Sequence, residues 1–149
     1  MRNAATQYFD IPGKGSSNPI KTITLHNNSG ATILAGDAVA LDETQSTVDL
    51  GAGIKTAAIA DPQMVIGGAI RDIPTGTFGE VQVYGVQENV NVLTAVAAKT
   101  VLVGSTATAG RLMAQAGAHA ATERPVALCL TLAAANKATV FWTNPLGSP

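Results

Sequence analysis

Two lysines lie in glycine-rich stretches whose backbone could surround a phosphate group: Lys14 in "PGKGSS" and Lys55 in "GAGIKT". A phosphate-binding loop of this kind needs the pattern G-x-x-x-x-G-K-[ST] between a strand and a helix. Lys14 is followed by Gly15 and no strand precedes it, and Ile54 stands where a glycine is needed before Lys55. The dinucleotide pattern G-x-G-x-x-G is also absent, so the sequence predicts no phosphate site and no cofactor.

The residues that could act as nucleophiles, bases or metal ligands are few and far apart. His26 lies at an expected strand end and His119 in an expected loop, and Cys129 in "RPVALCLTL" is expected to be a small buried core residue. A nucleophile needs a base within hydrogen-bond reach, and no Cys and His residues have the spacing of a zinc site. We therefore expect no catalytic residue, no metal site and no enzyme. A site assembled from distant residues remains open, and convergence of Asp72, Glu80 and His119 in one pocket would revive the enzyme hypothesis.

The composition limits the partners that the chain can have. Charged residues make up 13% of the 149 residues, against about 25% in a typical soluble domain, and the net charge is −1. The sequence contains no cluster of Lys and Arg of the kind that binds nucleic acid, so we expect no nucleic-acid partner. No stretch approaches the roughly 20 apolar residues of a membrane span, and no signal peptide is recognisable. We expect a soluble protein, with part of its lightly charged surface covered by another subunit.

From Ile20 onward the sequence predicts short β-strands, because apolar and polar residues alternate between glycines, prolines, asparagines and aspartates. "EVQVYGV" is expected to turn two valines inward and two polar residues outward: Val81 and Val83 against Gln82 and Tyr84. "KATVFWT" separates its two aromatic residues, with Val140 and Trp142 on one face and Thr139 and Phe141 on the other.

Two other strands are divided into two faces in the same way. "GDAVALD" places Val39 and Leu41 on one face. "RPVALCLTL" places its larger apolar residues together on one face, Val126, Leu128, Leu130 and Leu132, opposite Ala127, Cys129 and Thr131.

Glycine turns precede several of these strands, in "ATILAGDAVAL", "RDIPTGTFGEVQVYG" and "VGSTATAGRLMAQAG". Each stretch has a glycine turn and then a strand that enters the core, which predicts a barrel or a sandwich. In the second stretch we expect Gly76 and Gly79 to supply backbone freedom, including positive φ. Gly85 is expected to mark a bulge or the exit of a strand.

The sequence therefore predicts a mainly β protein, with an N-terminal arm at residues 1–19 and one β domain at residues 20–149. We expect at most one or two short helices, for which residues 92–100 and "LTLAAANKA" are the candidates. "PGKGSSNP" cannot form a helix or a central strand, and the apolar Tyr8, Phe9 and Ile11 come just before it. This pattern indicates an extended arm that docks on a partner, and a frayed terminus is the open alternative.

The chain has an opening strand, then "AGDAVALD", "VIGGAIRDIPTGTFGEVQVYGV", "VGSTATAGRLM", "RPVALCLTL" and "ATVFWTNP", over about residues 20–145. This order resembles the small capsid-decoration, or cement, proteins of tailed bacteriophages. The resemblance implies a compact β-barrel or β-tulip domain that assembles as a homotrimer at three-fold or quasi-three-fold positions of the capsid. It also implies a head-stabilising virion protein on the outer surface of the capsid, synthesised in the cytoplasm of the host bacterium.

In such families the N-terminal segment commonly contacts the major capsid protein. The resemblance assigns that role here to the arm, with four candidate contact residues: Tyr8, Phe9, Ile11 and Pro12. The candidate subunit interface holds three aromatic residues, Tyr84, Phe141 and Trp142. Burial of both Phe141 and Trp142 by the arm or by a loop remains an open alternative.

Two other functions remain open. A tail or head-fibre base protein would have a similar fold and composition. A lipoyl- or biotinyl-type carrier module, suggested by "AGDAVAL", would need a lysine at the tip of a tight hairpin, and Lys55 and Lys99 lack that setting.

Overall fold

The structure, a computed structural model, describes residues 19–42, 53–56, 64–93, 96–116, 124–131 and 135–143. These residues contain no α-helix and are almost entirely β, as the alternating pattern predicts. They form nine strands: β1 Lys21–Asn27, β2 Ala38–Leu41, β3 Gly53–Thr56, β4 Val65–Ala69, β5 Phe78–Asn91, β6 Val101–Gly104, β7 Leu112–Ala114, β8 Ala127–Cys129 and β9 Lys137–Thr143.

The nine strands form one sheet that is nearly closed into a barrel. Its order is β1-β3-β2-β4-β5-β9-β8-β6-β7, and β1 also pairs with β5. The β1–β5 pairing closes five strands into a first ring. A single parallel bridge between Val92 and Leu112 brings the far edge of the sheet back to the end of β5 and nearly closes a second ring. The prediction of a mainly β, barrel-like fold is therefore confirmed.

Strand β5 belongs to both rings, and it changes partners near its middle. Tyr84 pairs with Lys21 of β1 and also with Thr143 of β9, so β1 and β9 lie on opposite edges of β5 at this point. The next residue, Gly85, has a φ of +93°. The irregularity of the β1–β5 ladder falls at Val83, which that pairing skips, whereas Gly85 pairs with Trp142 and the strand continues to Asn91. Gly85 is therefore neither the bulge nor the strand exit that was predicted.

Each ring contains its own hydrophobic core. We call the larger cluster the Trp142 core; its fully buried members include Val90, Leu102 and Val140. The smaller cluster is the Ile73 core, formed by Ile33, Val39, Ile66, Ala69, Ile73, Val81 and Val83.

Strand β2 lies between the two cores and is buried on both faces. Ala38 and Ala40 pack in the Trp142 core, and Val39 packs in the Ile73 core with the partly buried Leu41 beside it. Val39 and Leu41 thus share one face, as the alternating pattern predicts. That pattern covers one face only. It did not predict the second buried face, because small alanines do not indicate which neighbours cover them.

The predicted division of β8 into two faces is confirmed for Leu128 and Leu130 against Ala127 and Cys129, but Val126, which was grouped with the leucines, is buried in the Trp142 core. Ala127 and Cys129 are buried in the Trp142 core, whereas Leu128 and Leu130 point outward. The reason is steric, since Ala127 pairs directly with Trp142, whose indole fills the space that a leucine would need. Gln82 in β5 is also buried rather than exposed, because its Nε2 donates to two backbone carbonyls, those of Tyr84 and Val86.

The described residues of the two stretches considered for helices contain no helix. In the described part of residues 92–100, Val92 forms the bridge to Leu112 and residues 96–100 lead into β6 through a turn at Lys99, whose φ is +65°. Ala135 and Asn136 form another left-handed turn, directly before β9. Residues 132–134 lie outside the described residues.

The three glycine turns share one local structure. Gly36, Gly76 and Gly110 all have positive φ, and each is followed two residues later by the first residue of a strand. In the first two turns the backbone closes in the same way: Asp37 N donates to Leu34 O at 3.0 Å, and Thr77 N to Pro74 O at 3.2 Å. Positive φ at the third turn position is the geometry that favours glycine.

Gly79 has a different role from the predicted one. Positive φ is not found there, and a Cβ on Gly79 would lie 2.4 Å from the side chain of Ile73. The residue is small because Ile73 packs directly on its backbone.

Candidate functional site: an apolar outer face

The face of the second ring that points away from the Trp142 core carries a row of apolar side chains. Val86 pairs with Phe141, Phe141 with Leu128, and Leu128 with Val101, so four strands contribute one residue each. Directly paired residues point to the same side of a sheet. We call Val86, Phe141, Leu128 and Val101 the outer row.

The neighbouring positions of these strands form the inner row, which is buried. There Leu102 pairs with Ala127, Ala127 with Trp142, and Trp142 with Gly85. Trp142 is fully buried in the core of the chain and is therefore not part of the outer surface. The prediction that Phe141 and Trp142 face opposite ways is confirmed.

Aromatic contact extends the outer row. The ring of Tyr84 meets the ring of Phe141 edge to face, with a centroid distance of 5.2 Å. The side chains of Tyr84 and Phe141 are partly exposed. Val101, and Leu130 directly after β8, are more exposed, at 39% and 40%. Two predicted interface residues, Tyr84 and Phe141, thus lie together on this face, and their role between subunits stays a prediction.

The predicted N-terminal arm joins the described structure beside Gly85 of β5. Residues 1–18, and with them Tyr8, Phe9, Ile11 and Pro12, lie outside the described residues. The described chain starts at Pro19, whose carbonyl oxygen lies so close to Gly85 that a Cβ there would be 2.3 Å from it.

A second surface feature lies at the connection between β4 and β5. A pocket of about 210 Å³ is lined by Arg71, Asp72, Ile73, Phe78, Gly79 and Glu80. Two of the three residues whose convergence would revive the enzyme hypothesis, Asp72 and Glu80, line this pocket, and His119 lies outside the described residues. Asp72 already accepts a hydrogen bond from the backbone of Ala35 at 2.8 Å. Its carboxylate therefore ties two turns together.

Phe78, at the rim of this pocket, is the most exposed large apolar residue among those described, at 70%. Its ring meets that of His26, its partner across the β1–β5 ladder, at a centroid distance of 4.9 Å. His26 also hydrogen-bonds with Asn28 through Nδ1. These contacts hold an aromatic side chain in solvent, which is an arrangement suited to binding a partner.

Asn27 is a structural residue that the sequence analysis did not single out. Its Nδ2 donates to Ala31 O at 2.8 Å and to Ile73 O at 2.7 Å, and its Oδ1 accepts from Ser29. Its backbone exchanges hydrogen bonds with Gly76 and Thr77. The buried amide thus fixes the end of β1 to the Pro74–Thr77 turn.

Gln87 is a second residue that was missed. Its buried side chain donates from Nε2 to Ala69 O at 3.0 Å and accepts at Oε1 from the indole Nε1 of Trp142 at 2.7 Å. Gly68 leaves the space for this contact, since a Cβ there would lie 2.6 Å from Gln87 Oε1. The signal was Trp142 itself, because a buried indole N–H needs an acceptor.

Cys129 is buried, as predicted, and its thiol donates to the carbonyl oxygen of Thr131. Burial raises the pKa of this thiol above its ordinary value, because the charged thiolate would lose its hydration. The residue is therefore an unreactive part of the core rather than a nucleophile.

Among the described residues, no group of three or more His, Cys, Asp and Glu side chains is placed to hold a metal ion. No helix in that part of the chain is long and apolar enough to cross a membrane. Comparison with protein-family models gives no match, and a search of curated proteins finds no significant similarity.

Proposed function

We propose that this chain is a structural virion protein that binds the outer surface of an assembled tailed-phage capsid and stabilises the head. In this proposal it bridges subunits of the major capsid protein, acts as a homotrimer at three-fold or quasi-three-fold positions, and performs no catalysis. It is made in the cytoplasm of the host bacterium.

The observation that carries the proposal is the placement of exposed apolar side chains at both ends of one strand pair. Ile20, 52% exposed, directly precedes β1, and Phe78, 70% exposed, pairs with His26 at the other end of β1. A bridging protein needs contacts on more than one side, because several weak contacts made at once give a high avidity. Single exposed apolar residues are ordinary, but two at opposite ends of a rigid ladder suit a bridge.

Shell stabilisation would follow from mass action. A protein that binds only the assembled shell shifts the equilibrium toward that shell by its own binding free energy. A barrel with two packed cores supports this role, because a rigid protein that is bound to two capsid subunits resists their separation, whereas one that deforms easily does not.

The subunit contact in this proposal includes Tyr84 and Phe141, which meet on the outer face. Trp142 is not included, because it is buried within its own chain. The low content of charged residues, 13%, supports a surface that is partly covered by other copies.

A tail or head-fibre base protein is the alternative within the same class, and location on the particle separates the two. The carrier-module alternative has less support. Lys99 is exposed at a turn between β5 and β6, which do not pair, and so it does not occupy the tip of a hairpin.

Co-sedimentation of the purified protein with mature capsids that lack it tests the proposal. We expect saturable pelleting, with occupancy in multiples of three per site. Absence of pelleting at micromolar protein would overturn decoration of that shell and favour a tail or fibre component.

Deleting residues 1–18 tests the predicted role of the arm. This deletion keeps Pro19 in place against Gly85, so we expect the fold to remain and the capsid affinity to fall. Circular dichroism checks the fold and pelleting measures the affinity. A Lys14→Ser variant is the control, since it leaves the apolar residues of the arm intact. Unchanged binding of the deletion variant would contradict an anchoring arm.

A further inference from the structure

The pocket at the connection between β4 and β5 lies where these two antiparallel strands stop pairing. Ile70 N donates to Glu80 O at 3.2 Å, and beyond this hydrogen bond residues 71–73 and 78–80 line a pocket of about 210 Å³. Sites for small organic ligands usually have volumes of about 300–1,000 Å³. The size of this pocket therefore suits a single side chain of a partner protein.

Hydrogen bonds outside the pocket hold both of its walls in place. Ile73 exchanges two backbone hydrogen bonds with Ile33, at 2.8 and 3.0 Å. On the other wall, residues 78–80 lie in β5 and pair with residues 24–26 of β1. The pocket is thus preformed, and a partner would lose little free energy in ordering it.

Phe78 and Glu80 give the pocket an aromatic ring and a carboxylate on the same side of β5. They are two positions apart, so their side chains project to one side, opposite to Val81 in the Ile73 core, and their Cα atoms lie roughly 6.8 Å apart. Phe78 is 70% exposed, and the Glu80 carboxylate has no hydrogen bond or ion pair among the described residues. Both groups are therefore available to a partner.

The charges of the pocket favour a cation. Asp72 adds a second carboxylate, which Ala35 N holds by a hydrogen bond to Oδ1 at 2.8 Å. Arg71 is the one positive residue among the described residues that line the pocket, and it forms no ion pair with any of the residues that the structure describes. Two carboxylates against one guanidinium leave a net negative charge beside an exposed aromatic ring.

We propose that this pocket receives an arginine side chain of a partner protein, whose guanidinium stacks on Phe78 and donates hydrogen bonds to the Glu80 carboxylate. Arginine fits better than lysine, because a planar guanidinium can stack on a ring through its face and donate through its edge at the same time. Arginine is also among the side chains that contribute most to the binding free energy of protein interfaces.

The identity of the partner is the one step that rests on the proposed function. In that function Phe78 is one of two apolar contacts with the capsid, so the arginine would belong to the major capsid protein. The preference of the pocket for a guanidinium does not depend on that function and is tested on the free protein.

Titration of the free protein with N-acetyl-arginine amide, followed by the NMR signals of the backbone amides, tests the inference. We expect saturable shifts at residues 71–73 and 78–80 and at their neighbours in β1, with a dissociation constant in the millimolar range. N-acetyl-citrulline amide, a neutral analogue of the same shape, should bind roughly two- to fivefold more weakly, which is the effect of an ion pair at a surface. Equal binding of the two amides, or no saturable shift at these residues, would overturn the inference.

Three substitutions at exposed lining residues test the roles of the ring and of the charges. Glu80→Gln removes a carboxylate and Phe78→Leu removes the ring but keeps an apolar side chain, so each should weaken the binding of N-acetyl-arginine amide roughly two- to fivefold. Arg71→Gln should strengthen that binding, because a like charge is removed. Glu88→Gln, at an exposed position farther along β5, is the matched control and should leave the binding unchanged.

The dispersion of the amide signals checks that each variant folds. Unchanged binding by Glu80→Gln and Phe78→Leu, or weaker binding by Arg71→Gln, would overturn the inference. Capsid pelleting separates this result from the proposed function. A protein that binds N-acetyl-arginine amide but no capsid has another partner, whereas one that pellets with capsids but does not bind the amide contradicts the proposed pocket alone.

Discussion

At the scale of single residues, Gln87 matters because it is a polar side chain shared by two apolar cores. It accepts from Trp142, which belongs to one core, and donates to Ala69, which belongs to the other. Ala69 O accepts a second hydrogen bond, from Gly36 N, and would keep it if Gln87 were replaced. The indole N–H of Trp142 would lose the hydrogen bond that it donates to Gln87.

Gln87→Leu should therefore lower the free energy of unfolding by about 1–3 kcal/mol, the cost of one unpaired buried donor. Urea denaturation followed by the fluorescence of Trp142, the single tryptophan, measures the change. Glu88→Gln is the control at the exposed neighbouring position and should change stability by less than about 0.5 kcal/mol. A Gln87→Leu protein as stable as the parent would show that the indole finds another acceptor.

Cys129 makes the free energy of unfolding depend on pH in the alkaline range. Burial raises the pKa of its thiol in the folded chain above the ordinary value of 9.0. Below that value the thiol is neutral in both states and its contribution is complete. As the pH rises above it, the unfolded chain ionises first, so the contribution is lost.

We therefore expect the stability advantage of the parent over Cys129→Ala to shrink as the pH is raised above 9.0. Denaturant unfolding of both proteins at a series of pH values measures this difference, and other titrating groups cancel in the comparison. An advantage that grows with pH would contradict the assigned direction.

At the scale of elements, the two turns at Gly36 and Gly76 are a matched pair. They have similar φ values, +85° and +74°, and the same backbone hydrogen bond closes them. Their surroundings differ, because a Cβ on Gly76 would meet nothing within 4 Å, while one on Gly36 would lie 2.2 Å from the backbone oxygen of Asn89.

Gly76→Ala should therefore cost only the left-handed backbone strain of about 1–2 kcal/mol. Gly36→Ala should cost roughly 3 kcal/mol or more, because Asn89 is held in β5 and the backbone must shift. Denaturant unfolding of the two variants gives the difference directly. Equal losses would mean that strain dominates and that the β5 backbone moves easily.

The strands and turns differ in how well the sequence predicts them. Alternation predicted β5 and β9 with their inward valines, and glycines predicted the turns, because both signals are local. In β8 the alternation correctly separated Leu128 and Leu130 from Ala127 and Cys129, but it could not place Val126, which is buried with the small residues. The pairing of β1 with both β3 and β5 could not be read from either strand alone. Phe141 of the outer row and the adjoining Tyr84 were identified from the sequence, whereas Val86, Val101 and Leu128 required the register.

At the scale of the whole molecule, the two cores should unfold together. Strand β2 supplies Ala38 and Ala40 to one core and Val39 to the other, and β5 runs through both rings. Unfolding of either core would displace β2 and β5, which the other core also needs.

Ile73→Ala, in the core that lacks Trp142, should lower the unfolding free energy by about 3 kcal/mol. The fluorescence of Trp142 should report the full loss and coincide with the far-ultraviolet circular dichroism transition. Leu34→Ala is the exposed control and should change little. Separate transitions for the two signals would show that the cores are independent units.

The place of β5 between β1 and β9 also governs the order of events during synthesis on the ribosome. Both pairings of Tyr84 join residues about sixty positions apart, one earlier and one later in the chain. The first ring has all its strands once β5 has emerged, whereas the second must wait for β9, which follows the other eight strands. Until then the nascent chain exposes one edge of β5, and this interval is when aggregation is most probable.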